Sequence, residues 1–136
     1  MRRLLDTHAL LWWLSGDAQL SLKARRAIAD RRHDILVSAA SAWEVATKHR
    51  LGKLPGAGPL AVDFEREVLR HGFIDLPMSM SHAQSAGALA GALAGALAGA
   101  PRDPFDRMLV AQALEEKLAL VSNETLFDDY GVTRVW

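Results

Sequence analysis

Five short apolar runs, each bordered by a polar residue, set the rhythm of this chain. Leu4-Leu5 ends at Asp6, Ile35-Leu36-Val37 ends at Ser38, Phe73-Ile74 precedes Asp75, Leu120-Val121 ends at Ser122, and Val132 to Val135 lies near the C-terminus. Between them stand amphipathic stretches of helical period: Leu20 to Arg32, Ser41 to Leu51, Ala61 to Arg70 and Asp103 to Lys117. Strands this short, separated by helices of about ten residues or more, join by crossovers, so the pattern predicts βαβ units and a mainly parallel sheet with helices on both faces. The expected fold is a three-layer α/β/α domain occupying 1–136 as one unit, since 136 residues bury a real core but fall short of two ordinary domains.

Charge and cysteine content narrow the function. The formal net charge is zero, so no overall basic field points to a nucleic acid, and any such binding must use a local patch. The absence of cysteine excludes disulfides, thiolate catalysis and Cys-based zinc or iron–sulfur sites. The opening MRRLLDTHALLWWL has the basic start of a signal peptide, but Asp6 and His8 interrupt its apolar run and no small-residue cleavage site follows. The expected compartment is the cytoplasm.

One segment departs in style. Ala86 to Ala100 repeats a four-residue unit, AGALAGALAGALAGA. A period of four drifts only about 40° per repeat on a helix, which makes Leu89, Leu93 and Leu97 one ridge, with Gly87, Gly91, Gly95 and Gly99 a groove beside it. Interior glycines cost roughly 1 kcal/mol each relative to alanine, so the repeat (86–100) is expected as a helix supported by close packing. Its poverty in large apolar residues argues against a membrane span.

The acids raise the functional question. Ligands of parallel α/β sheets bind outside the carboxyl ends of the strands. Asp6 follows the first strand, Ser122, Asn123 and Glu124 follow a later one, Glu44 sits in the second turn after Ile35 to Val37, and Asp103 and Asp106 open a helix starting at the same edge. Structural readings stand beside these. Asp6 and Asp103 suit helix caps, the latter with Pro104 at the first helical position, and Glu44 can simply pair with Lys48 at i+4. Asp106 shares a face with Val110 and Ala113, so its carboxylate ends an apolar stripe and needs a partner.

Carboxylates crowded at one rim repel one another unless a cation compensates, and an all-oxygen donor set favours Mg²⁺ or Mn²⁺. Such a site suits phosphodiester hydrolysis, with the acids as ligands and Asp6 also placed to orient a water. Lys48, Arg50 and Lys53 on one side, and Arg102 and Arg107 on the other, are the candidate contacts to a phosphate backbone. Trp12, Trp13 and Trp43 read as packing or interface residues, or alternatively as stacking platforms for bases. Successive positions on a helix cannot both face the core, so one of Trp12 and Trp13 is a candidate contact to a partner.

The stretches LLDTHALLWWL, SAASAWEVATKHRLGKL, RDPFDRMLVAQAL and LVSNETLFDDYGV, in this order along nearly the whole chain, resemble PIN-domain ribonucleases, in particular the VapC-like toxins of bacterial type II toxin–antitoxin systems. The resemblance implies a PIN-like fold and a metal-dependent endoribonuclease. Its acidic residues would be Asp6, Glu44 and Asp106, with Asp103 as an accessory. A homodimer and a VapB-like antitoxin partner are also implied. Where members often carry Thr-x-Asp after the late strand, this chain has Ser122, Asn123 and Glu124. The rival reading is a PIN-like module that binds RNA or protein without cutting.

Overall fold

The computed structural model describes residues 1–94 and 103–136, with backbone alone for 90–94. Its elements are β1 (Arg2–Leu5), α1 (Thr7–Ser15), α2 (Leu22–Ala29), β2 (Asp34–Ser38), α3 (Ala39–Arg50), α4 (Gly58–Val62), α5 (Phe64–Arg70), β3 (Ile74–Leu76), α6 (Met80–Ala94), α7 (Pro104–Glu115), β4 (Ala119–Val121) and β5 (Arg134–Val135). Short 3-10 turns at Pro55–Ala57 and Thr125–Tyr130 complete them. All pairings are parallel, in the order β3-β2-β1-β4-β5.

Alternation along each strand builds the three layers. Leu5, Ile35, Val37 and Val121 point to one face, where α1, α2, α3 and α5 bring Leu10, Ile28, Val45 and Val68. Leu4, Leu36, Leu76 and Leu120 point to the other, against Leu109, Val110 and Ala113 of α7 and Leu89 of α6. Strands covered on both faces read as continuous apolar runs, which is why the sequence marks them so clearly.

Two boundaries differ from expectation for a local reason. The stretch Ala61 to Arg70 is two helices, because Asp63 is extended (φ −149°) and its carboxylate accepts from the Arg66 N–H to cap α5 at 3.1 Å. The helix expected over Leu20 to Arg32 ends at Ala29, where the Asp30 side chain takes the Arg32 N–H at 3.0 Å. In both places an aspartate offers the backbone a turn in competition with the helix.

The repeat is helical as far as Ala94, and 95–100 lie outside the described residues. Leu89 packs on the core as the leucine ridge requires. Gly87 departs from the close packing expected of it, for a β-carbon there meets nothing within 4 Å. Its backbone is used instead: Arg107 donates to the carbonyls of Ala86 (3.1 and 2.8 Å) and Gly87 (2.9 Å), which ties α6 to the start of α7. No helix among the described residues is long and apolar enough to cross a membrane.

Leu109 is fully buried under the sheet. Leu109→Ala is expected to lower stability by about 2–5 kcal/mol, seen as a lower urea midpoint at unchanged slope.

Candidate active site

The sheet register positions the site. Leu5 aligns with Val37 of β2 and Val121 of β4, so the following residues, Asp6, Ser38 and Ser122, leave the carboxyl edge side by side. The Asp6 N–H donates to Val121 O at 3.0 Å and fixes that alignment. Strand order reverses here, because the chain steps from β1 outward to β3 and returns across the sheet to β4. The crevice at such a reversal is where open α/β sheets bind ligands.

Asp6 occupies the N-cap position of α1, yet its side chain makes no capping bond. It accepts instead from Ser122 Oγ at 2.6 Å, and both residues are buried. Ser122 also takes the Glu124 N–H at 3.0 Å, so the late loop braces the first acid. Burial pushes the Asp6 carboxyl up, opposed by the Ser122 hydrogen bond and by His8, and reinforced by Glu44.

Glu44, 3% exposed, reaches the same rim from α3. One of its oxygens, Oε2, is held by Lys48 Nζ at i+4, while Oε1 is buried without a hydrogen-bond partner among the described residues. Burial works against the Lys48 ammonium, but the bond and charge of Glu44, with Asp103 and Asp106 beyond, keep its pKa above the ordinary value. Lys48 is thus the resident counter-charge of the acidic rim.

The two aspartates of α7 divide as their positions suggest. Asp103 is the N-cap: Oδ1 accepts from the Phe105 N–H at 2.8 Å, with Pro104 at the first helical position. Asp106, half-buried one turn into the apolar stripe of Val110 and Ala113, is pushed up to about 7, by burial first and then by the charges of Asp103, Asp6 and Glu44. Each acid feels its neighbours, although among the described residues no three are yet drawn together around one point.

The remaining candidates are placed differently. Glu124 is exposed and caps the Thr125–Tyr130 turn through Leu126 N (3.2 Å), and Asn123 is exposed beside it. Arg107 is turned onto α6. Arg50 and Lys53 are exposed at the far end of α3, with Arg50 roughly 9 Å along the axis beyond Glu44. Arg102 lies outside the described residues. Trp12 and Trp13 both lean partly buried on the core, with Trp12 against Trp136 at a 5.9 Å ring separation. Trp43 is 54% exposed.

A buried polar scaffold under the rim escaped the sequence reading. Thr7 and Ser41 join the starts of α1 and α3 at 2.8 Å. Ser38 Oγ caps α3 through Ala40 N (2.9 Å) and donates to Gln112 Oε1 at 2.5 Å. The Gln112 amide continues to Pro77 O at 3.2 Å and to His82. The His82 ring accepts from Ser79 N–H on Nδ1, leaving Nε2 to donate to Glu116 at 3.0 Å. Ser38 at a strand end was a visible signal; Gln112 amid the apolar positions of α7 and His82 among the serines of α6 were not.

A hard divalent cation fits these donors: Glu44 Oε1 is orphaned and buried, and Asp106 lies among like charges. The apo protein carries a pH signature of that crowding. Between about pH 4 and about pH 7 the folded state keeps a proton on Asp106 that the unfolded state has released, so this group makes stability fall as pH rises through that window and level off above it. In thermal melts with chelator, Asp106→Asn is expected to flatten the slope, and Mg²⁺ or Mn²⁺ to raise Tm most at the alkaline end, where protons no longer compete.

Known proteins share this architecture. The chain is 44% identical over 64 residues to Ribonuclease VapC16 of Mycobacterium tuberculosis, a match spanning 47% of this chain and 44% of that relative, less than half of its length. Among solved structures, VapBC2 from Rickettsia felis, bound to a DNA fragment from its promoter, superposes with a TM-score of 0.67 at 16% identity, covering 98% of this chain and 97% of that one. VapBC-1 from nontypeable Haemophilus influenzae gives 0.67 at 14% identity over 98% and 96% of the two chains. FitAcB from Neisseria gonorrhoeae gives 0.60 at 20% identity over 98% and 96%. These similarities establish a common fold, and the PIN domain family model spans residues 3–132, from the first strand to the threshold of the last, so the chain belongs to the PIN-domain family.

Proposed function

We propose that this chain is a Mg²⁺- or Mn²⁺-dependent endoribonuclease, the toxin of a type II toxin–antitoxin module acting in the cytoplasm. The observation that carries the reading is that Asp6, Glu44 and Asp106, from three separate elements, lie within electrostatic reach of one another at the reversal point of a parallel sheet. The local likeness to a VapC ribonuclease and the fold shared with VapBC complexes support it, and they favour a VapB-like antitoxin as partner; a homodimer is part of the same proposal.

Asp6, Glu44 and Asp106 would hold the metal. Bound there, the ion supplies a lowered pKa for a water and neutralises charge on the phosphate oxygens. Asp6, held by the hydrogen bond from Ser122, would orient a water toward phosphorus and accept its proton, and the leaving ribose oxygen would take a proton from solvent. Lys48, paired here with Glu44, would turn toward the phosphate backbone if a metal took its place on that carboxylate. Arg50 and Lys53 extend the basic edge, and Arg102 and Arg107 flank the aspartate turn.

The test is cleavage of single-stranded RNA by antitoxin-free protein with Mg²⁺, Mn²⁺ or chelator. Asp106→Asn should abolish cleavage with the fold retained, and Asp103→Asn, which preserves the cap, should lose less. Ser122→Ala should lose about 10- to 100-fold, as expected on removing a group that orients a metal ligand. Cleavage insensitive to chelator and to Asp6→Ala would refute the assignment. RNA binding without cleavage would favour the non-catalytic module, a reading that the capping role of Glu124 supports.

A further inference from the structure

The exposed indole of Trp43 stands out on the rim. Several large apolar side chains of this chain are exposed, among them Leu22 and Val62, and Trp43 is another, with 54% of its surface in solvent. It is not loosely placed. Its ring meets Phe105 edge-on, with centroids 4.7 Å apart and planes at 80°. Phe105 is itself buried and lies in the α7 turn between Asp103 and Asp106. Trp43 immediately precedes Glu44 on α3. A rigid aromatic surface therefore stands beside the acids, anchored through an aromatic pair that favours this geometry.

The charge distribution says what such a surface is for. The chain has no net charge, and Arg107 is committed to α6 carbonyls. Attraction to phosphates, which dominates binding in basic proteins, is accordingly small here, so part of the affinity for a nucleic acid must come from uncharged contacts. Every base has a π-face, and stacking on tryptophan is available only to a base that is out of a duplex.

We propose that Trp43 is a base-stacking residue that holds an unpaired nucleobase of the RNA next to the scissile phosphate, and so selects single-stranded substrate. This rests on the nuclease reading above and adds to it a residue that contacts the substrate. Trp43 touches the substrate without taking part in the chemistry, so its loss acts on binding. In cleavage assays Trp43→Ala raises KM by about 5- to 100-fold with kcat little changed, the range for one stacked base, and Trp43→Phe restores most of it.

The decisive experiment measures binding without cleavage. Labelled single-stranded RNA is titrated, by fluorescence anisotropy, into Asp106→Asn protein with and without Trp43→Ala or Trp43→Phe. Circular dichroism and thermal melts confirm that each variant is folded. Abasic substitutions are scanned along the oligonucleotide, and a duplex of the same sequence serves as competitor. The expected result is one position where removing the base weakens the parent by about 5- to 100-fold and Trp43→Ala no further, together with loss of single-strand preference in Trp43→Ala. Equal affinity of parent and Trp43→Ala, or strictly additive penalties at every position, overturns the proposal. So does a Trp43→Ala protein that binds RNA normally but fails to bind a protein partner. If RNA binds with the expected Trp43 dependence but the unmutated protein never cleaves, the nuclease reading falls and the stacking role stands; if no RNA binds, both fall.

Discussion

The in-register alignment of three parallel strands is the constraint from which this molecule follows. With Leu5 level with Val37 and Val121, the carboxyl ends of β1, β2 and β4 coincide, and the residues that follow them share one rim. A slip of one residue would turn every strand side chain to the opposite face, taking Leu4, Leu36 and Leu120 away from α7 and the acids away from each other. Core and site are thus specified by the same pairing.

That rim carries a tension the core must offset. Asp6 and Glu44 are buried and Asp106 half-buried, within mutual electrostatic reach, and the protein answers with partial measures: a serine on Asp6, a lysine on Glu44 and a raised proton affinity at Asp106. These measures leave Glu44 Oε1 unsatisfied. Stability given up at a rim of this kind is a familiar mark of functional sites. The Ser38–Gln112–His82 network beneath it has the opposite character, with its polar groups matched across β2, α6 and α7, and it supplies the stiffness that a strained rim requires.

Much of this was legible before the fold was known. The strands β1, β2 and β4 were visible because their carboxyl halves are covered on both faces and read as apolar runs, whereas β3 carries an exposed Asp75. Asp103 announced itself as a cap through Pro104, and Asp106 through the stripe it shares with Val110 and Ala113. Less could be seen where a side chain chooses among partners. Asp63 breaks a stretch whose periodicity reads as one helix, because its carboxylate competes for a backbone N–H. Glu124 resembles a fourth acid by position but faces its own turn. Lys48 and Arg107 both read as phosphate contacts, yet the structure sets the one on Glu44 and the other on α6.

The sequence by itself determined the fold class, the strand and helix order, and the acids at the ends of strands and starts of helices, because periodicity, capping and chain reversal are local properties written in neighbouring residues. Only the tertiary structure decided that Ser122 orients Asp6, that Gln112 and His82 bind three elements together, and that Trp43 stands exposed on Phe105. Those outcomes join residues as many as 116 positions apart. Spacing along the chain carries no record of a hydrogen bond or ring contact whose geometry exists only once the sheet has closed.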